Sequence, residues 1–129
     1  AHSLFDTEYA DVRRRFEKMG RVVELPSKLM DVGSAVAGCG PAFVAMMLEA
    51  LADAAVKHGV PRARAYELAS QMTVGAATLQ LKTGAHPGQL KDAVCSPGGS
   101  TIRGVQALEK AGMRAAFMGA VDAVMDAGR

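Results

Sequence analysis

The sequence predicts an all-α protein, and three observations lead to that prediction. Half of the 129 residues are hydrophobic, whereas only 5% are aromatic. Alanine, methionine, leucine and valine supply most of the apolar content, and such side chains suit closely packed helices. Apolar residues also recur three and four positions apart, and Gly or Pro residues separate one such segment from the next. The expected architecture is a bundle of helices.

The first 26 residues are predicted to form a helix followed by a short strand. Asp6 is the expected N-cap and Gly20 the expected end of the helix, and residues 21–25 alternate as a strand does before Pro26. No later segment offers that strand a partner, so it pairs either within an oligomer or with a sheet in sequence outside this chain. We favour the second interpretation. Residues 1–26 then read as the tail of an α/β nucleotide-binding domain, and residues 27–129 as a helical domain.

Six helices are predicted after residue 26, and Gly, Pro or Ser residues mark their ends. Ser27 is the expected cap of the first, which runs toward Gly38. The other five are predicted from Gly40-Pro41 to Gly59, from Pro61 to Gly84, from His86-Pro87 to Cys95, from Thr101 to Lys110 and from Met113 to Ala127.

One predicted helix is apolar around most of its circumference. Between Ala42 and Val56 its only charged residues are Glu49 and Asp53, and Lys57 continues the same stripe. Such a helix must be buried on most sides. We therefore expect the helical domain to complete its core against a second copy of the chain, as a homodimer or a higher homo-oligomer.

Composition argues against several classes of protein. A formal charge of +2 is too small to indicate nucleic-acid binding, and Arg13-Arg14-Arg15 reads as the solvated face of a helix. No uncharged stretch reaches the roughly 18 residues of a membrane helix, and Gly33–Leu48 lies in the longest one. No secretion signal opens the chain, and Cys39 and Cys95 lack metal-ligand spacing. We expect no metal, no membrane contact and a cytoplasmic location with both thiols reduced.

The stretch Ser96-Pro97-Gly98-Gly99-Ser100-Thr101 carries the clearest signal of a binding site. Adjacent glycines allow positive φ and a close approach of the backbone to a ligand, and Ser and Thr favour a helix start. The free N–H groups of a helix N-terminus attract a phosphate or a carboxylate. The alternative is an ordinary turn with a Ser/Thr cap. A phosphate-binding loop is the weaker hypothesis, since no lysine of the Walker type follows the glycines.

Residues 86–105, HPGQLKDAVCSPGGSTIRGV, resemble the characteristic segment of pyrroline-5-carboxylate reductases, as do GCGPAF at 38–43 and EALAD at 49–53. The resemblance extends from about Gly20 to Ala123 and covers only the C-terminal part of such an enzyme. It implies a helical bundle of the 6-phosphogluconate dehydrogenase C-terminal-like type, preceded by a helix-strand remnant of a Rossmann domain.

In the resembled family, the enzyme reduces 1-pyrroline-5-carboxylate to L-proline with NADPH or NADH in the last step of proline biosynthesis. The resemblance gives Thr101 the catalytic position, where its hydroxyl meets the ring nitrogen of the substrate. Backbone N–H groups at Gly99, Ser100 and Thr101 would hold the substrate carboxylate, and Ser96 would buttress the loop. NADP or NAD would bind mainly to the N-terminal domain, because this chain has no G-x-G-x-x-G after a strand.

The sequence also departs from the family at three positions. Cys39 stands where the family usually has Ser, Gly84 where some relatives carry an acidic residue near the substrate, and Ala93 where others have an Asn that touches the cofactor. His86 is better explained as a helix cap than as an acid or base. The alternative to the enzyme is a non-catalytic helical dimerisation module with the same fold.

Overall fold

The structure is a computed structural model that describes residues 4–128, with side chains from residue 6. Within these residues the chain is all-helical, without a strand, which confirms the predicted fold class. The elements are α1 (Leu4–Glu17), a 3₁₀ turn (Ser27–Leu29), α2 (Met30–Ala37), α3 (Gly40–Lys57), α4 (Arg62–Thr83), α5 (Pro87–Ala93), α6 (Ser100–Lys110) and α7 (Met113–Ala127).

The strand predicted for residues 21–25 is wrong, because this segment has no regular secondary structure. A strand needs a partner for its backbone groups, and none is found among residues 4–128. The segment is tied to α1 by side chains instead. The Tyr9 hydroxyl donates a hydrogen bond to Glu24 Oε1 at 2.8 Å, and Arg13 pairs with the same carboxylate. The bond to Glu24 is the main cause that raises the pKa of Tyr9.

Two predicted caps are also wrong. Asp6 lies inside the first turn of α1 and not before it. Ser27 is the first residue of a 3₁₀ turn whose cap position is Pro26, and no side chain caps that turn. The fixed φ of proline presets this entry, so a side-chain cap is not needed to start it. The other predicted helices begin and end within a few residues of their expected positions.

The helical body is held together through alanine. Among residues 6–128 the buried residues are Ala35 of α2, Ala52 of α3, and Ala65 and Ala69 of α4. Small side chains let helix backbones approach closely, and α3 and α4 pack side by side in this way. Gly59, with φ of 100°, allows the tight turn between α3 and α4. Helix α2 also contacts α3 and α7, and α6 contacts α7.

Large apolar side chains are mostly not covered within one protomer. Ala52 is the only buried residue of α3, while Val44 and Leu51 remain about 40% exposed on another face of the same helix. Among residues 6–128 no large side chain is fully buried. The helix that the sequence predicts to be buried is therefore half open in the protomer.

Helices α2 and α3 almost form one element. Gly38 and Cys39 between them keep right-handed helical torsion angles, and Pro41 has no N–H to donate to the carbonyl of residue 37. The whole segment Ser27–Lys57 is long and apolar enough to cross a membrane by length and composition. A core helix of a soluble protein meets the same criteria, so this single segment is weak evidence for a membrane span.

Candidate functional site

The Gly-rich loop joins α5 to α6, and its two glycines have different conformations. Gly98 has φ of 72°, in the left-handed region that favours glycine. Gly99 has φ of −76° and ψ of 178°, which is extended backbone, and it occupies the N-cap position of α6. Helix α6 begins at Ser100, one residue before the predicted start. Positive φ is thus needed at Gly98 and not at Gly99.

Gly99 is required for a different reason, which is its close approach to Ser96. An added Cβ at Gly99 would lie 2.5 Å from Ser96 Oγ and 3.2 Å from the Ser96 carbonyl oxygen. The Gly99 N–H also donates to that carbonyl oxygen at 3.0 Å, which closes a tight turn. The sequence suggested that this N–H would be a free donor, whereas in the protomer it is engaged in the turn.

Ser100 and Thr101 carry the free groups of the site. Both residues are exposed in the first turn of α6, where backbone N–H groups have no acceptor within the helix. Within residues 6–128, neither hydroxyl makes a hydrogen bond to another protein group. The positive end of an 11-residue helix dipole lies at the same place. Two N–H donors, two hydroxyls and a positive dipole end can together hold a carboxylate and donate a hydrogen bond to a second polar atom.

The segment before the loop is held by polar contacts. His86 occupies the N-cap of α5, and its side chain accepts a hydrogen bond from the Gly88 N–H, so the predicted capping role is confirmed. Lys91 Nζ lies 2.9 Å from Asp92 Oδ1, and this hydrogen bond is the main cause that raises the pKa of Lys91. Lys91 therefore remains charged at neutral pH. Cys95 follows α5, is half-buried and is a free thiol.

The three departures from the resembled family have simple local environments. Gly84 has φ of 65° and ends α4 in the left-handed conformation, which glycine adopts without strain. Ala93 is the last residue of α5 and is exposed, and Cys39 is half-buried at the cap position of α3. None of the three adds a polar side chain to the site. The sequence resemblance assigned Ser96 a buttressing role in the loop, but the close contact between Ser96 and Gly99 depends on the fold of the turn and was not predicted.

We expect Gly99→Ala to destabilise the protein by about 1–3 kcal/mol, because the added methyl group overlaps Ser96 Oγ. Chemical denaturation would measure the loss. Ser96→Ala in the same chain removes the hydroxyl and should restore part of the stability. The matched control is Gly104→Ala on the same helix, where nothing lies within 4 Å of the added atom. Equal effects of the changes at Gly99 and Gly104 would contradict the close contact.

Comparisons of the sequence and of the structure with known proteins lead to the same family. The family model described as pyrroline-5-carboxylate reductase dimerisation matches residues 27–129. The pyrroline-5-carboxylate reductase of Methanosarcina acetivorans is 51% identical over 106 residues, which cover 82% of this chain and 39% of that protein.

Two solved structures give the same result. The Plasmodium falciparum enzyme, crystallised with NADP bound, superimposes with a TM-score of 0.83 at 36% identity and covers 97% of this chain and 47% of that one. The Streptococcus pyogenes enzyme gives a TM-score of 0.84 at 35% identity, covering 97% of this chain and 48% of that one. This chain therefore spans less than half the length of these relatives.

The fold and the matched region define the class of protein as a helical dimerisation domain of an oxidoreductase. The chain belongs to the pyrroline-5-carboxylate reductase family.

Proposed function

We propose that this chain is the substrate-binding and dimerisation part of an enzyme that reduces 1-pyrroline-5-carboxylate to L-proline, the last step of proline biosynthesis. The observation that supports this proposal is the start of α6. There the Gly98-Gly99 turn leaves Ser100 and Thr101 with free donors at the positive end of a helix. Membership of the family supplies the substrate that such a group of donors fits.

In this proposal the residues of the chain bind and orient the substrate. The backbone N–H groups of Ser100 and Thr101 hold the carboxylate, and the Thr101 hydroxyl contacts the ring nitrogen. Gly99 contributes by its lack of a side chain, which lets the Ser96 turn close beside the site. Fixing both ends of a small rigid ring leaves it one orientation, and orientation is a large part of what an enzyme adds to such a reaction.

Residues 4–128 do not fit a dinucleotide. They contain no G-x-G-x-x-G that follows a strand, and no strand at all. We propose that NADP or NAD binds mainly to a preceding domain, of which residues 1–26 are the tail, and that residues 27–129 form the helical domain. The Plasmodium falciparum relative with NADP bound supports a nicotinamide cofactor for the family.

The surface of the protomer supports a homodimer. The chain exposes 10363 Å². A compact monomer of 13.4 kDa would expose about 6,500 Å². Part of the excess lies on α1, and part lies on an apolar groove of about 570 Å³ that we call the α3–α7 groove. Its lining includes Phe43, Met47, Leu51, Met72, Leu108 and Phe117. An uncovered surface of this kind is typical of a protomer separated from its partner.

The second candidate function is a non-catalytic helical dimerisation module. The α3–α7 groove supports this module and the enzyme equally, since both functions need a dimer. The open donors of Ser100 and Thr101 favour the enzyme, because a module that only dimerises has no need of them.

For either function we propose a cytoplasmic location. Cys39 and Cys95 are both free thiols, as is usual in a reducing compartment.

Two measurements test these proposals. Light scattering of the chain at micromolar concentration should give at least the mass of a dimer. The chain joined to its natural N-terminal region should oxidise NADPH or NADH only when 1-pyrroline-5-carboxylate is present. A dimer that binds the reduced cofactor but does not turn over the imine would favour the non-catalytic module. A monomer would contradict the interface.

A further inference from the structure

Residues 20–25 connect α1 to the helical body without regular secondary structure, and we call them the α1–α2 linker. Helix α1 does not pack extensively on another helix in the described part of the chain, so its position depends mainly on this linker. Hydrogen bonds close both ends of the linker. The Gly20 N–H donates to the Phe16 carbonyl oxygen at 3.2 Å, and the Leu29 N–H donates to the Pro26 carbonyl oxygen at 2.9 Å.

Two donors on α1 hold the α1–α2 linker at Glu24. The Tyr9 hydroxyl donates to Glu24 Oε1 at 2.8 Å, and the Arg13 guanidinium donates to the same oxygen. Tyr9 and Arg13 are four residues apart, so they lie on one face of α1 in successive turns. Exposed bonds of this kind add little to stability. Two donors that converge on one oxygen from successive turns nevertheless set the angle between the helix and the linker.

The next residue attaches the α1–α2 linker to the helical body. An added Cβ at Gly33 would lie 2.6 Å from Leu25 Cδ1, so the leucine side chain lies directly over this glycine of α2. Helix α2 in turn contacts α7, and α7 contacts α6. Because Glu24 and Leu25 are adjacent, one peptide bond separates the contact with α1 from the contact with α2. The linker has little freedom to bend between these two contacts.

We propose that Glu24 and Leu25 are positioning residues that hold the preceding domain at a fixed place relative to the helical body. This inference rests on the proposed function, in which residues 1–26 are the tail of that domain. The apolar side chains Val12, Phe16 and Met19 of α1 are at least 48% exposed, as expected for a helix that a preceding domain would cover. A fixed linker keeps one separation between a cofactor on that domain and a substrate at α6, which favours the reaction between them.

The experiment measures the distance between spin labels at Glu8 in α1 and Lys57 at the end of α3. It uses the chain joined to its natural N-terminal region, with the native cysteines replaced by serine. Labelled protomers are diluted with unlabelled ones, so that only distances within one protomer are measured. The wild-type linker should give one narrow distance distribution.

Two variants each release one side of the α1–α2 linker. Glu24→Ala removes the acceptor for both donors of α1, and Gly33→Ala places a methyl group where Leu25 now lies. Each should broaden the distribution to a width on the order of 10 Å, because a released linker of this length behaves as a flexible coil.

Matched controls make similar changes away from the α1–α2 linker. Glu17→Ala removes the other carboxylate that pairs with Arg13, at 2.8 Å within α1, and Gly75→Ala adds a methyl group where nothing lies within 4 Å. Both should keep the narrow distribution. Glu24→Gln retains an oxygen that accepts from Tyr9 and should restore most of the order. A broad distribution in the wild type, or an equally narrow one in every variant, would overturn the proposal.

Steady-state kinetics of the same protein give a second readout. Glu24→Ala and Gly33→Ala should lower kcat by about tenfold and leave KM for the cofactor and for the imine unchanged, because both binding sites stay intact and only their mutual orientation is lost. An unchanged kcat in both variants would overturn the positioning role. The distance measurement needs no turnover. It therefore decides the proposal even in a protein that does not reduce the imine, a result that would contradict only the proposed function.

Discussion

Thr101→Val, introduced into the proposed full-length reductase, is expected to lower kcat/KM for 1-pyrroline-5-carboxylate by about ten- to more than a hundredfold. Valine keeps the branched shape of threonine and removes the hydroxyl that we place at the ring nitrogen. A hydrogen bond to a charged or polar substrate group contributes roughly 1.5–3 kcal/mol, which gives that range. Steady-state kinetics with the imine as the varied substrate would measure the loss.

Thr101→Ser is the matched control, since it retains the hydroxyl and should keep most of the activity. The affinity for the reduced cofactor should hardly change in either variant. Light scattering would verify that both remain dimers. If Thr101→Val turned over the imine as fast as the wild type, the start of α6 would be a helix cap and nothing more, and the substrate would have to be held elsewhere.

Leu51→Lys is expected to dissociate the proposed homodimer. Leu51 lines the α3–α7 groove and is 41% exposed in the protomer, so a partner that fills the groove would bury the new charge without a counter-ion. Substitutions at the centre of an interface commonly cost 2 kcal/mol or more, which raises the dissociation constant by at least about thirtyfold. Sedimentation over a concentration series would measure the change. Circular dichroism should show a lower melting temperature, because the buried residues in the described range 6–128 are all alanines.

Glu49→Lys is the control for this experiment. It introduces the same side chain on the same helix, but on the charged stripe about half a helical turn away from Leu51. We expect the dimer to persist in this variant. Equal dissociation in both variants would mean that the lysine disturbs α3 in general. The α3–α7 groove would then not be the interface.

The sequence alone determined the helices and most of their ends. Gly59 and Gly84 end helices because glycine readily adopts a left-handed φ, and Pro61 starts one because it has no N–H to donate. Both properties belong to the residue itself and do not depend on the rest of the fold. The cap at His86 was equally local. A strand is a different case, because its stability lies in a partner, and the alternation in residues 21–25 could not supply one.

Only the tertiary structure decided how the Gly-rich loop is built. The two adjacent glycines indicated a positive φ, but the sequence does not say which of them adopts it. In the structure Gly98 has the positive φ, and Gly99 leaves space for Ser96. That distinction depends on how the turn folds back on itself. The same holds for the groove. Periodicity predicted that α3 is apolar nearly all round. The structure decided that Ala52 is buried and that Leu51 stays 41% exposed, because helix packing selects one face and leaves the others uncovered.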